Sequence, residues 1–140
     1  MKEKLLVMAL LLCSLGVSAQ QNDSTAFRAY LYNKEYDVYM RINFYGQDVV
    51  VPGQEFYGQL PGFLSKTHNS FCWLVLSAKM SGNVAELTMI NDYGSEDLTA
   101  TLTCLNDSTY VLRQQDGSTL KVPKDRKWQK LPKELEFKKR

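Results

Sequence analysis

The chain carries one histidine, His68, inside the polar run 65–70 (SKTHNS), with no cysteine or aspartate beside it. A Ser–His or Cys–His nucleophile needs its base within hydrogen-bond reach, so partners would have to come from distant segments. The run fits an exposed loop histidine better. Zinc takes three or four nitrogen, sulfur or oxygen ligands, and the cysteines could add two at most. Glycoside hydrolysis needs two carboxylates facing each other across a cleft. Acidic residues are plentiful here, but they fall in turns, where they are ordinarily solvated. The expectation is a protein that is not an enzyme, with hydrolase the least favoured reading.

Three other groups bear on binding. The loop 91–97 (NDYGSED) offers Asp92, Glu96 and Asp97 as oxygen donors around Gly94, a candidate Ca²⁺ site whose spacing does not match the EF-hand loop. The eight Tyr, six Phe and two Trp include Tyr32, Tyr39, Tyr45, Tyr57 and Tyr93, which fall at outward strand positions or in loops. Exposed Tyr and Trp give large rigid contact area with a polar tip, so Tyr57, Tyr93 and Trp128 are the candidate ligand contacts. Ordinary strand propensity is the competing explanation of so many aromatics. Finally, residues 20–120 hold six Lys/Arg against eleven Asp/Glu, while residues 121–140 hold nine against three. A basic closing segment on an acidic body could meet an anionic partner. It could equally be a solvated rim partly paired with that body. Nothing in the sequence calls for a cofactor.

The elements that position these residues begin after a leader. Met1-Lys2-Glu3-Lys4, an apolar run from Leu5 to Val17, and small residues at Val17-Ser18-Ala19 have the anatomy of a secretory signal peptide. The apolar run is short for a bilayer crossing, and Cys13 follows Leu12, unlike a lipoprotein site. Residues 1–19 are therefore expected to be removed and residues 20–140 to form one secreted or periplasmic domain. After cleavage no segment is apolar enough to span a membrane. That location and the acidic body argue against nucleic acid. The partner expected is an unknown small molecule, glycan or protein. Cys72 and Cys104 could close a disulfide in an oxidising compartment, or remain two buried thiols.

Period-two alternation dominates the rest. Tyr36 to Phe44 alternates, as do 71–80, 84–90 and 98–104, while Ala26 to Tyr32 fits helix or strand. Glu55 to Leu60 reads as extended. Gly53, Gly58 and Gly62 suggest a bent passage. In 71–80, Cys72, Leu74, Leu76, Ala78 and Met80 read as one face. Ser81-Gly82-Asn83 and Asp116-Gly117 read as hairpin turns. Leu135 and Phe137 alternate with charges in a last short strand. Eight to ten short strands in sequence favour an all-β antiparallel meander closing into a small up-and-down barrel, with a β-sandwich as the alternative.

This layout resembles the lipocalin-like (calycin) group of small secreted β-barrels. The likeness rests on the leader, the meander, VPGQEFYGQLPG, the hairpins running through DGSTLKV, and the Trp-bearing KWQKLPKELEF. It implies a small closed barrel. The Gly-x-Trp start of true lipocalins is absent, and Tyr30-Leu31-Tyr32 stands in its place, so the likeness assigns no ligand residues. The style is also similar to small secreted proteins of gut-type bacteria, which implies no activity.

Overall fold

The computed structural model describes residues 25–140; the expected leader lies outside the described residues. Alternating segments become twelve strands, β1 (Arg28–Asn33), β2 (Val38–Asn43), β3 (Val49–Val50), β4 (Gln59–Leu60), β5 (Gly62–Lys66), β6 (Cys72–Ser81), β7 (Val84–Asn91), β8 (Asp97–Cys104), β9 (Thr109–Gly117), β10 (Lys121–Lys124), β11 (Lys127–Lys130) and β12 (Glu134–Lys139). Eight of them close into an antiparallel barrel in the order β1-β12-β9-β8-β7-β6-β5-β2. The meander leaves the wall twice. The two-stranded ribbon β3–β4 is inserted between β2 and β5, and the hairpin β10–β11 between β9 and β12. Closure leaves no wall strand with an unpaired edge. The fold is consistent with a calycin-like architecture.

Strand β8 shows why the wall forms. Leu98, Ala100 and Leu102 face inward, opposite Met89, Leu87 and Ala85 of β7. The intervening Thr99, Thr101 and Thr103 point out, as a half-buried strand requires. Inward side chains from all eight strands, among them Leu31, Met40, Leu64, Trp73, Leu112 and Phe137, form one continuous buried cluster. The barrel interior is a packed core.

A second, smaller core lies outside the wall. Val49, Val51 and Leu60 of the β3–β4 ribbon cover Phe63, Cys72 and Leu74, with Tyr39, Tyr57 and Ile90 at the margin. Both faces of β6 are therefore buried at its start. The alternation then changes phase. Val75 pairs with Met89 and Ser77 with Thr88, leaving Leu76 as a bulge. Phe71, Trp73 and Val75 face the interior before it, and Ala78 packs against the same core after it. The single face expected for Cys72, Leu74, Leu76, Ala78 and Met80 is thus two half-faces joined at a bulge.

Two further expectations are corrected, and one left open is decided. Glu55–Tyr57 is a 3-10 turn instead of extended chain. In the stretch Ala26–Tyr32, open between helix and strand, Ala26 and Phe27 form a turn and strand β1 runs from Arg28. Asp116-Gly117 is not a hairpin turn, because β9 runs through Gly117, which pairs with Leu98 at a register shift. Gly117 has φ of +99°, and a Cβ there would sit 2.5 Å from the Asp97 carbonyl oxygen, so glycine is required by a bulge between β8 and β9. The hairpin turn lies further on, at Asp125-Arg126, flanked by the Lys124–Lys127 pair. Both turn residues have positive φ, 53° and 66°, as a two-residue type I′ loop demands.

Candidate functional site

One end of the barrel gathers the loops β1–β2, β5–β6 and β7–β8 together with the β10–β11 hairpin. The hairpin closes this end because Leu120, Val122 and Leu131 at its base turn into the core, each no more than 3% exposed. Its base is fixed by hydrogen bonds. Leu131 N–H donates to the Leu120 carbonyl at 2.8 Å. The Gln114 side chain accepts from Leu120 N–H at 2.7 Å and donates to the Pro132 carbonyl at 3.0 Å. From the wall, Trp73 Nε1–H donates to the Lys121 carbonyl at 2.9 Å. A rigid platform results, on which the hairpin's outer side chains are displayed.

On that platform an aromatic group converges around Phe71, a nearly buried residue just before β6. Trp128 meets Phe71 edge-on at 4.8 Å between ring centroids, Tyr93 approaches it at 5.7 Å, and Trp73 lies below at 6.3 Å. Tyr93 is 71% exposed and Trp128 48% exposed. The Lys121 ammonium lies 5.4 Å from the centre of the Trp128 ring and pairs with Glu96 at 3.0 Å. Two of the three predicted contact residues, Tyr93 and Trp128, are therefore brought together. The third, Tyr57, is not. It stacks on the exposed Phe56 at 4.2 Å in the 3-10 turn and leans on the outer core.

The candidate Ca²⁺ ligands do not converge. Among the described residues no three His, Cys, Asp or Glu side chains are placed to hold a metal ion. Glu96 is turned to Lys121, and Asp97 is exposed at the start of β8. The loop is braced instead by Asn91, which is 2% exposed. Its Oδ1 accepts from the amides of Ser95 and Glu96 at 2.9 and 3.3 Å, and its Nδ2 donates to Ser95 Oγ at 3.1 Å. An asparagine anchors this loop, which accounts for its order.

Asp92 sits beside Cys72, whose carbonyl accepts its amide at 3.0 Å. Burial pushes the Asp92 carboxyl above the usual carboxylate range, and the amides of Cys72, Asp92 and Tyr93 partly oppose that. Among the described residues its Oδ1 is enclosed without a hydrogen-bond partner. A raised folded-state value means the folded protein holds this proton more tightly than the unfolded chain. The contribution to stability is complete below the ordinary Asp range and is lost as pH rises through the raised value. Asp92→Asn keeps an acceptor oxygen and is expected to raise Tm by a few degrees at pH 7. The gain should vanish near pH 3, and equal effects at both pH values would contradict this account.

Of the two readings left open for Cys72 and Cys104, a bridge or two thiols, the described residues show two free cysteines. Cys72 opens β6 on the outer face, whereas Cys104 ends β8 on the inner side and is hydrogen-bonded beside Asn83, beyond the far end of β6. The ten residues of β6 separate them, roughly 30 Å of strand, while a disulfide needs Cα atoms within about 7 Å. Burial, with Asp92 adding its charge, pushes the Cys72 thiol up to about 12, so it is no nucleophile at neutral pH.

His68 is exposed in the β5–β6 turn, with φ of +59°. It lines an open cleft of about 540 Å³ with Lys66, Thr67 and Asn69 on one bank and Pro123, Lys124, Asp125 and Arg126 on the other. The cleft adjoins the aromatic group, since Pro123 pairs with Trp128 across the hairpin and Asn69 precedes Phe71 by two residues. Sequence reasoning saw the basic run but not this wall. The signal was the Lys124–Lys127 bracket around a two-residue turn, which needed the strand pairing to be read. Compared with family models, curated proteins and solved structures, the chain matches none.

Proposed function

We propose that this protein is a secreted, non-enzymatic binding module that holds a glycan at the hairpin-capped end of its barrel. The observation that carries the reading is the convergence of exposed Tyr93 and Trp128 on Phe71. A sugar ring offers an apolar C–H face to a flat aromatic ring and hydroxyls to the polar groups around it, and Thr67, Asn69 and Ser95 stand nearby. The packed interior argues against the alternative of an apolar ligand inside the barrel.

Tyr93→Ala removes a mostly exposed side chain and is expected to change stability by less than about 1 kcal/mol, while Trp128→Ala removes a half-buried one and is expected to cost about 1–2 kcal/mol with the fold retained. In affinity electrophoresis against a panel of neutral and acidic polysaccharides, at least one should retard the protein. Either variant should lose most of that retardation, on the order of tenfold in affinity for a central aromatic contact. Retardation by no polysaccharide, or retardation indifferent to both variants, would contradict the proposal.

A second reading is docking of a protein through the basic closing segment. It is favoured by the small number of satisfied charges there. Of the nine Lys/Arg in residues 121–140, only Lys121 and Lys138 are in ion pairs among the described residues.

A further inference from the structure

We infer that the glycan is an acidic one, with its carboxylate or sulfate groups seated in the cleft between the β5–β6 turn and the Asp125-Arg126 turn while a neighbouring ring lies on Trp128. The inference rests on the glycan reading and names its substrate class.

The cationic side chains that line the cleft are Lys66, Lys124 and Arg126, with the His68 imidazole beside them, set against Asp125 and the nearby Asp37. Asp37 is already engaged. It accepts a 2.6 Å hydrogen bond from Tyr32 Oη, and that bond, one from Thr67 and the charges of Lys66 and His68 hold its carboxyl below the usual range. Lys66 is steadied on the cleft bank by donating to the Tyr36 carbonyl at 3.1 Å. Lys124 and Arg126 take part in none of the ion pairs among the described residues. Two cations with no ion-pair partner and a third fixed beside them make a positive recess on a body whose residues 20–120 are otherwise acidic.

Arg126 sharpens the point. It occupies the second position of a type I′ turn with φ of +66°, where glycine would be free of strain and a side chain with a Cβ is disfavoured. The turn would be more stable with Asp-Gly. The arginine there places a planar guanidinium, suited to carboxylate and sulfate oxygens, at the rim of the recess. Because Pro123 is shared between the cleft and the Trp128 pair, anion and ring sites are adjacent. That arrangement suits a chain in which charged groups recur along linked rings.

The test is calorimetric titration of the protein with a uronate polymer and a sulfated polymer, each beside a neutral polysaccharide, at low and at physiological salt. The inference predicts binding of at least one acidic polymer, no binding of the neutral ones, and weakening as salt rises. Losing two charge-assisted contacts in a Lys124→Ala/Arg126→Ala variant should weaken that binding at least about tenfold. A charge-matched control, Lys79→Ala/Lys139→Ala, should leave it within about twofold, because exposed charges far from the site are screened. The uronate and sulfate arms identify which anionic group the cleft takes. Equal loss in the control, or neutral chains bound as tightly and still dependent on Trp128, overturns the inference; the second result leaves the glycan reading intact. Binding of no polysaccharide at all overturns both.

Discussion

Cutting the chain after Val122 is expected to unfold the protein, although the removed stretch looks in sequence like a basic tail. Strand β12 lies between β9 and β1. It pairs Glu134 with Arg113 through to Lys138 with Thr109 on one side, and Lys138 and Lys139 with Tyr32 and Leu31 on the other. Leu131, Leu135 and Phe137 are 3%, 3% and 0% exposed. Burying each contributes roughly 2–3 kcal/mol, a large share of the 5–15 kcal/mol by which domains of this kind are ordinarily stable. Removal would also expose β1 and β9 as open edges and take away β11, half of the cap. Urea titration followed by far-ultraviolet circular dichroism should show no cooperative transition for the truncated chain. A truncated protein that melts cooperatively near the parent Tm would show that the barrel closes without β12. For the same reason, a role of the basic segment in partner binding has to be tested by point substitution.

Substitution of Trp73 should have the largest effect of any single core change, and it links the fold to the site. Trp73 heads the fully buried side chains by size. It fills the barrel beneath Phe71, and its Nε1–H is bound to the Lys121 carbonyl. Trp73→Ala leaves a cavity and removes aromatic packing, for an expected loss of about 3–5 kcal/mol. Trp73→Phe keeps most of the volume but strands the Lys121 carbonyl, an expected loss of about 1–3 kcal/mol. The Phe variant should remain folded while amide exchange accelerates across residues 121–130, because the hairpin loses its tie to the wall. If exchange there is unchanged, Trp73 is filler and the cap is held by Gln114 and Leu120 alone.

The legible parts of this chain were those where local pattern and tertiary environment agree. In β8, Leu98, Ala100 and Leu102 against Thr99, Thr101 and Thr103 announce one dry and one wet face, and the barrel uses both as announced. The pattern misled where a bulge changed phase. Leu76 adds one residue to β6, so side chains that alternate in sequence change faces in the structure. Asp116-Gly117 misled for a related reason, because glycine serves a close approach to Asp97 as readily as a turn. The cysteines looked alike in sequence since both occupy apolar positions, yet an outer core under the β3–β4 ribbon gave apolar partners to the wrong side of the wall. Tyr93 was identifiable as an exposed aromatic from its loop neighbours, and Trp128 as an aromatic in the basic closing segment. Their meeting over Phe71 was not, because it joins three segments distant in the chain. The basic run was visible as composition, whereas the recess it forms depends on Pro123 facing Asn69 across two turns.

The central claim is that binding takes place at the hairpin-capped end and nowhere in the barrel interior. Backbone amide shifts recorded by heteronuclear NMR during titration with the acidic polysaccharide that binds most tightly test it most directly. The account predicts perturbations confined to residues 66–71, 91–97 and 121–130, with the Trp128 indole N–H moving and that of Trp73 nearly still. Shifts centred on inward residues such as Leu87, Leu102 and Leu112, or on the outer wall around Thr88 and Thr99, would contradict it.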